Sequence, residues 1–409
     1  MATESSVHHV WPLGGHSRIP AWVYSDEAVF AREMEVFHAG ATWSFVGLEC
    51  EIPEIGSFKR TWVGAKPVIV VRDAKGAVNV LENRCAHRGT AVCWENSGTA
   101  KSFTCPYHQW MYDLSGALRG VPFRRGAPGG GGMPEDFRPA DHGLRRLRVH
   151  LEGGSIWATF SEDVPAFEDY CGPDIMKQVR RLLPGKPLRL LGTARQIIPC
   201  NWKLYFENGR DTYHATLLHS FFITFGLYRA DSVNRSIPTN GPHMINTSAY
   251  AGKKVTQSTA EMKRFGETFD MLDKETVTPV DEFNDKLSSA LQIFPSIFFQ
   301  QHANSLAMRQ IIPRSATSVE IVWTHYGYED DDEQLRRLRL KQANMVGPSG
   351  FVSMDDSEVL TQVQRMISRY PESIGMLDMG GRDILPQDTM ATDVGIRAFY
   401  HFYRNAMGF

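Results

Sequence analysis

Residues 85–110 read CAHRGTAVCWENSGTAKSFTCPYHQW, and two short pairs inside this stretch decide what the chain is built around. Cys85 and His87 form C-x-H; after seventeen intervening residues Cys105 and His108 form C-x2-H. Each pair places one thiolate and one imidazole within a single tight turn, with Gly89 and Pro106 supplying the turn chemistry. Two thiolates on one iron and two imidazoles on the other are the donors of a Rieske [2Fe–2S] cluster, and the imidazoles raise its potential above that of an all-cysteine cluster. A structural zinc site draws on the same donor types. Zinc fingers, however, usually pair cysteine with cysteine and histidine with histidine, whereas here each pair is mixed.

Downstream, residues 201–222 read NWKLYFENGRDTYHATLLHSFF and predict a helix carrying Asp211, His214 and His219. Two histidines and one carboxylate are the facial triad that holds non-heme Fe(II) and leaves coordination positions open. Asp211 or a residue elsewhere in the chain can supply the carboxylate. Asp211 and His214, three apart, share a helix face. His214 and His219, five apart, lie about 140° apart round an ideal helix. Binding one metal with both therefore requires the helix to be distorted or broken there.

Taken together, CAHRG, CPYHQW, NWK, the EN…D-x-YH…LH run and the late GPSGFVSMDD (347–356) carry a resemblance that spans nearly the whole chain. The sequence resembles the large (α) subunits of Rieske non-heme iron aromatic-ring-hydroxylating oxygenases. ENGRDTYHATLLHSFF and RLRLKQANMVGPSGF bring it nearest the branch acting on terephthalate, anthranilate, salicylate and ortho-halobenzoates. The resemblance implies that Asp356 is the third ligand of the mononuclear iron, beside His214 and His219, and that Asp355 is a neighbour. It implies that Asp211 bridges His214 to a cluster histidine, His108, of the adjacent subunit, and hence a ring of α subunits, as α3β3 with a small β subunit or as α3. It also implies O2 as co-substrate, a small aromatic carboxylate as substrate, and most often cis-dihydroxylation, with monohydroxylation to a phenol as the alternative outcome. Asn208, just before the ligands, is placed to tune the site by hydrogen bonding.

Composition agrees with this reading. The chain has 409 residues, 42% hydrophobic and 22% charged, with a net charge of −2. Its length suggests two to three domains, and its charge argues against nucleic acid or an anionic membrane as partner. No stretch approaches the roughly twenty apolar residues of a membrane span. MATESSVHHVWPLGG lacks the basic start and apolar run of a secretory signal. Of six cysteines, Cys50, Cys93, Cys171 and Cys200 are spaced singletons, suited to buried thiols in a reducing cytoplasm. No G-x-G-x-x-G dinucleotide fingerprint is present, so electrons must come from a separate NAD(P)H-dependent reductase, directly or through a ferredoxin. A Rieske electron carrier without oxygenase activity would need only about a hundred residues and no second metal; the remaining length argues against it.

The expected fold is α+β, with an all-β Rieske domain inserted in an α+β catalytic domain whose antiparallel sheet is flanked by helices. The predicted boundaries are 1–40 for an N-terminal helical segment of the catalytic domain, 41–160 for the Rieske domain and 161–409 for the mononuclear-iron domain. Within them, DEAVFAREMEVFHAG predicts a helix started by Asp26, and KPVIVVRD–AVNVLENR a hairpin delivering Cys85. RRGAPGGGGMP (124–134) lacks the Lys–Ser/Thr of a phosphate loop and reads as a surface loop. ARQIIP, SIFFQQ, SLAMRQIIP and SVEIVWTHYGYED read as antiparallel strands; DDDEQLRRLRLKQANMVG reads as a helix with a solvated charged face.

For the substrate pocket, alternation along SLAMRQIIP places Ala307, Arg309 and Ile311 on one face. A guanidinium on an otherwise apolar face needs a partner, and a bidentate carboxylate suits it. Arg397 is a second candidate, favoured by the resemblance. Leu218, Phe222, Phe294, Phe298 and Phe351 are candidates for the apolar wall, while His302 and His325 are assigned to core or surface.

Overall fold

The computed structural model describes residues 9–225, 228, 233–239, 241–249, 271–284 and 287–409. Residues 1–8, which carry most of the basis for the leader reading above, lie outside this set. Asp26 caps the first helix, Glu27–Glu33, by accepting from the backbone N–H groups of Ala28 and Val29 at 2.7 and 2.9 Å. The helix then loosens into a π turn, Met34–His38. Strand Arg18–Pro20 pairs with Ile374–Met376, tying the start of the chain to its far end.

The next segment is all β. Val78–Glu82, Lys66–Arg72, Ser57–Val63 and Ser97–Thr99 form a four-stranded antiparallel sheet in that order. Phe103–Thr104, Met111–Tyr112 and Leu118–Gly120 form a second sheet, and Arg148–Glu152, Ser155–Thr159 and Ser44–Leu48 a third. The predicted hairpin is present, with Ile69 opposite Leu81, and Cys85 follows its second strand. The loop 124–134 is mostly exposed, as expected from its glycines.

A seven-stranded antiparallel sheet dominates the remainder, ordered Leu188–Ile198, Ser318–Tyr328, Ser305–Ser315, Ile297–His302, Leu287–Ile293, His243–Ala249 and Asn234–Thr239. Its central strands are buried on both faces. The helices Trp202–Asn208, Phe351–Arg369 and Val394–Met407 join the strands in one core, through residues such as Trp202, Phe206, Leu360 and Phe399. Gln310 fastens the sheet to the β segment: its side chain accepts from Thr61 Oγ1 at 2.9 Å and donates to the Phe45 and Trp62 carbonyls. The charged helix Glu333–Val346 differs from expectation. Arg339 is buried and ion-paired with Asp331 and Glu282 instead of lying on a solvated face.

The segment 201–222 is not one helix. The turn of chain after Trp202–Asn208 unwinds, and two short helices, Ala215–Leu218 and Ser220–Thr224, follow on either side of His219. Arg210, fully buried, holds the unwound stretch: it donates to Gln292 Oε1 at 2.7 Å, the Gly395 carbonyl at 3.2 Å and the Pro242 carbonyl at 2.9 Å. Gln292 in turn donates to the Phe206 carbonyl at 2.8 Å. At Gly209 a Cβ would stand 2.4 Å from Gln292 Nε2, so only glycine lets the chain pass this close. Two residues back, half-buried Glu207 accepts from the hydroxyls of Tyr24 and Tyr400 at 3.1 and 2.5 Å. Burial raises its pKa to about 7 against the lowering effect of those hydroxyls.

Candidate iron–sulfur and mononuclear iron sites

The two cysteine–histidine loops share one hydrogen-bond pattern. Cys85 N–H donates to the Thr90 carbonyl and Gly89 N–H back to the Cys85 carbonyl, at 2.8 and 2.9 Å. Cys105 and Trp110, then Gln109 and Cys105, repeat this at 2.8 and 3.0 Å. Gly89 and Gln109, at matching positions, both take positive φ, 78° and 56°. The loops meet with the His87 and His108 ring centroids 4.5 Å apart, and His87 stacks on Trp110. Cys85 and Cys105 are each 1% exposed, and His108 Nδ1 is buried without a partner. The Tyr112 hydroxyl accepts from Ala86 N–H at 3.1 Å, leaving its proton free for Cys85 Sγ at 3.2 Å. Two buried thiols, an unpartnered inward nitrogen and a second imidazole fit a Rieske cluster with a hydrogen bond to one ligating sulfur.

His214, His219 and Asp356 converge although the chain between them is long. Asp356 Oδ1 lies 3.4 Å from His214 Nε2 and 3.1 Å from His219 Nε2. Donors about 2.1 Å from one metal in adjacent coordination positions stand about 3 Å apart, so the three atoms fit a facial triad. Breaking the helix at His219 is what turns both Nε2 atoms to the same point. Each histidine's other nitrogen meets a carboxylate: His214 Nδ1 is 3.2 Å from Asp211 Oδ2, and His219 Nδ1 is 3.3 Å from Asp355 Oδ2. Such carboxylates set the tautomer and ring orientation of metal-binding imidazoles. Asn208 Nδ2 donates to Asp356 Oδ1 at 3.0 Å and lies 3.3 Å from His214 Nε2. Burial works against ionisation of both His214 and Asp356. Even so, Asp211 and Asp356 hold the His214 pKa up at about 10, and the two imidazoles hold Asp356 far below the usual carboxylate range. The cluster of charges attracts a cation.

Beside the triad lies a cavity of about 130 Å³, comparable to the roughly 150 Å³ that takes a benzene ring. Phe222 and Phe298 line it, as does Arg309, which is 4% exposed. The Arg309 guanidinium lies over the Phe298 and Trp323 rings, donates to Gln300 Oε1 and reaches the Tyr205 hydroxyl at 3.4 Å. Its Nε is buried without a partner, and among the described residues no carboxylate pairs with it.

The other pocket candidates fall elsewhere. Arg397 is fully buried on the C-terminal helix and donates to the carbonyls of Asp383, Leu377 and Met379, so it pins the loop before that helix. Phe294 is fully buried in the aromatic core, packed edge-on against Phe37. Phe351 is 64% exposed and stacks on Phe221. Leu218 is half-buried and is not among the residues lining the cavity. His302, assigned above to core or surface, instead lines the cavity. Alternation along SIFFQQH would have found it, because Phe298, Gln300 and His302 share one face. Asp355 had no signal beyond its place beside Asp356.

A [2Fe–2S] loop pair in a β unit, followed by a two-histidine, one-carboxylate site against an antiparallel sheet, defines a Rieske-type mononuclear iron oxygenase. The Rieske [2Fe–2S] domain model matches residues 42–129, and the model of the catalytic domain of ring-hydroxylating α subunits matches residues 175–408. The chain belongs to the ring-hydroxylating oxygenase α-subunit family, enzymes that use the Rieske cluster, a mononuclear iron and O2. It is 44% identical to the large oxygenase component of salicylate 5-hydroxylase from Ralstonia sp, over 97% of this chain and 96% of that one. It is 43% identical to the anthranilate 1,2-dioxygenase large subunit of Burkholderia cepacia (99% and 96%). With the terephthalate 1,2-dioxygenase terminal oxygenase component subunit alpha 2 of Comamonas sp the identity is 40% (97% and 97%). Among solved structures, naphthalene 1,2-dioxygenase from Rhodococcus sp. bound to indole shares the fold, with TM-score 0.78 and 22% identity over 95% and 94% of the two chains. Among the described residues no helix is long and apolar enough to cross a membrane.

Proposed function

We propose that this chain is the terminal oxygenase subunit that hydroxylates the ring of a small aromatic carboxylate. The observation that carries the reading is Arg309. A buried guanidinium with no carboxylate partner among the described residues, lining the same cavity as the triad, is a costly arrangement unless a ligand supplies the anion. The relatives named for salicylate, anthranilate and terephthalate support the same class.

In this reading His214, His219 and Asp356 hold the mononuclear iron, and Cys85, His87, Cys105 and His108 hold the cluster. The iron supplies O2 activation next to the bound ring. The chain's own residues do the rest: Arg309 and Gln300 fix the carboxylate, Phe222 and Phe298 hold the ring against the triad and exclude water, and Asn208 and Asp355 keep the ligand set oriented. Cis-dihydroxylation is the outcome we favour; the 44% identity to a salicylate 5-hydroxylase component supports a phenol as the second. Electrons come from a separate reductase, directly or through a ferredoxin.

Assembly as α3β3, or as α3, would bring a neighbour's cluster to Asp211, which would bridge His214 to the neighbour's equivalent of His108. Exposed apolar residues on both faces, Tyr213 and Leu217 beside Asp211 and Trp94 and Tyr107 near the cluster, support such a contact. The test of the activity is a product-mass screen with reductase, NADH and O2. The panel is terephthalate, anthranilate, salicylate and 2-chlorobenzoate, each beside its neutral amide. Turnover confined to carboxylates supports the reading, and equal turnover of the amides overturns it.

A further inference from the structure

Register and alternation divide the floor of the cavity into rows. Phe298 pairs with Arg309, Ala290 pairs with Gln300 and with Asn246, and Ser248 pairs with Ser288. Along its strand, His302 stands two residues beyond Gln300, about 7 Å further on the same face. Arg309 thus lies toward one end of the cavity, Gln300 and Asn246 share the row between, and Ser248 and His302 lie toward the other end.

The two ends differ in charge. Arg309 is the one lysine or arginine among the described lining residues. Away from Arg309, in the middle row and at the far end, three polar atoms are buried with no partner: Asn246 Oδ1, Ser248 Oγ and His302 Nε2. Ser248 is 3% exposed and His302 5% exposed, so water does not serve them freely. Burial, with Arg309 and His219 nearby, pushes the His302 pKa down to about 4, so its imidazole is neutral. Buried polar groups are normally satisfied, and an unsatisfied set on side chains that line a cavity matches a ligand's own hydrogen-bonding groups.

We infer that Asn246, Ser248 and His302 form a second, uncharged recognition site that reads a hydroxyl or amino substituent on the ring, making the substrate a monocarboxylate with one neutral polar group. This rests on the carboxylate reading of Arg309 and narrows it. Among the described residues a dicarboxylate would bury its second anion against neutral groups, an expensive placement. An unsubstituted benzoate would leave the same groups unpaired.

Equilibrium binding to the iron-loaded, anaerobic enzyme tests this, with titration of benzoate, the three hydroxybenzoates, the three aminobenzoates, terephthalate and phenol. At least one hydroxy- or aminobenzoate should bind about tenfold or more tightly than benzoate, a difference of about 1.4 kcal/mol, and terephthalate no more tightly than benzoate. His302→Phe should bring that ratio close to one, and Ser248→Ala should lower it in part. Terephthalate binding more tightly than every hydroxy- and aminobenzoate, or a ratio untouched by both substitutions, would overturn the second site. Phenol binding as tightly as benzoate would instead overturn the carboxylate reading beneath it. The two failures differ in which pair of ligands loses its contrast.

Discussion

His219 is held at both ring nitrogens by adjacent residues of one helix, its Nδ1 3.3 Å from Asp355 Oδ2 and its Nε2 3.1 Å from Asp356 Oδ1. Asp355 is 45% exposed and Asp356 nearly buried, so the first faces solvent behind the ring while the second faces the metal site. Asp355→Ala should therefore leave the fold intact but weaken mononuclear iron binding by about 10- to 100-fold. Iron content after dialysis against a chelator checks this; wild-type retention would reduce Asp355 to a surface charge.

Asp211 plays the corresponding part at His214 and is also proposed to bridge to the neighbouring cluster. Asp211→Ala should keep full cluster absorbance and, reconstituted with excess Fe(II), an occupied mononuclear site, yet lose nearly all turnover. The decisive measurement is reoxidation of the reduced cluster with substrate and O2 present. Normal reoxidation would remove Asp211 from the electron path.

Arg309→Met keeps much of the side-chain volume and removes the charge. Truncating one partner of a buried charge pair costs about 2–5 kcal/mol, so carboxylate substrates should weaken by about 30-fold or more, with neutral amides little affected. KM measured for each acid and its amide shows the contrast. A parallel loss for both would make Arg309 a structural residue.

Glu207 predicts a pH effect on stability. Its folded pKa, about 7, lies above the ordinary carboxyl value of 4.5, chiefly through burial. The folded state therefore holds a proton that the unfolded state has released. The stabilisation from this group is fully present below about pH 4.5 and is lost as pH rises to about 7. Glu207→Gln should remove this loss, so the variant gains Tm relative to wild type between pH 5 and pH 8. A Tm difference that does not change with pH would contradict the neutral carboxyl.

Gly209→Ala should lower Tm by several degrees, because its Cβ would collide with Gln292 Nε2 and disturb the Arg210–Gln292 clamp. Differential scanning calorimetry of the holoenzyme measures this, and loss of mononuclear iron should accompany it.

Much of the metal chemistry was legible before any fold was known. Cys85–His87 and Cys105–His108 are each confined to one turn, where spacing limits geometry tightly. The five-residue gap between His214 and His219 already required a broken helix, and the break is present. The pocket was only partly legible. Phe222 and Phe298 face it while Phe294 and Phe351 do not, because composition does not distinguish an aromatic in the core from one against a cavity. Arg309 and Arg397 look alike as buried arginines, yet one lines a cavity and the other meets three carbonyls.

The sequence by itself pointed to the candidate cluster set, to His214 and His219 and to the α+β plan, because these depend on donor type, short spacing and strand periodicity; Asp356 came only from the family resemblance. Only the tertiary structure decided that Asp355 backs His219 and that Asn246, Ser248 and His302 face one cavity with Arg309. Those meetings join strands and helices distant in the chain, and their packing is set by the sum of many contacts that no local pattern encodes.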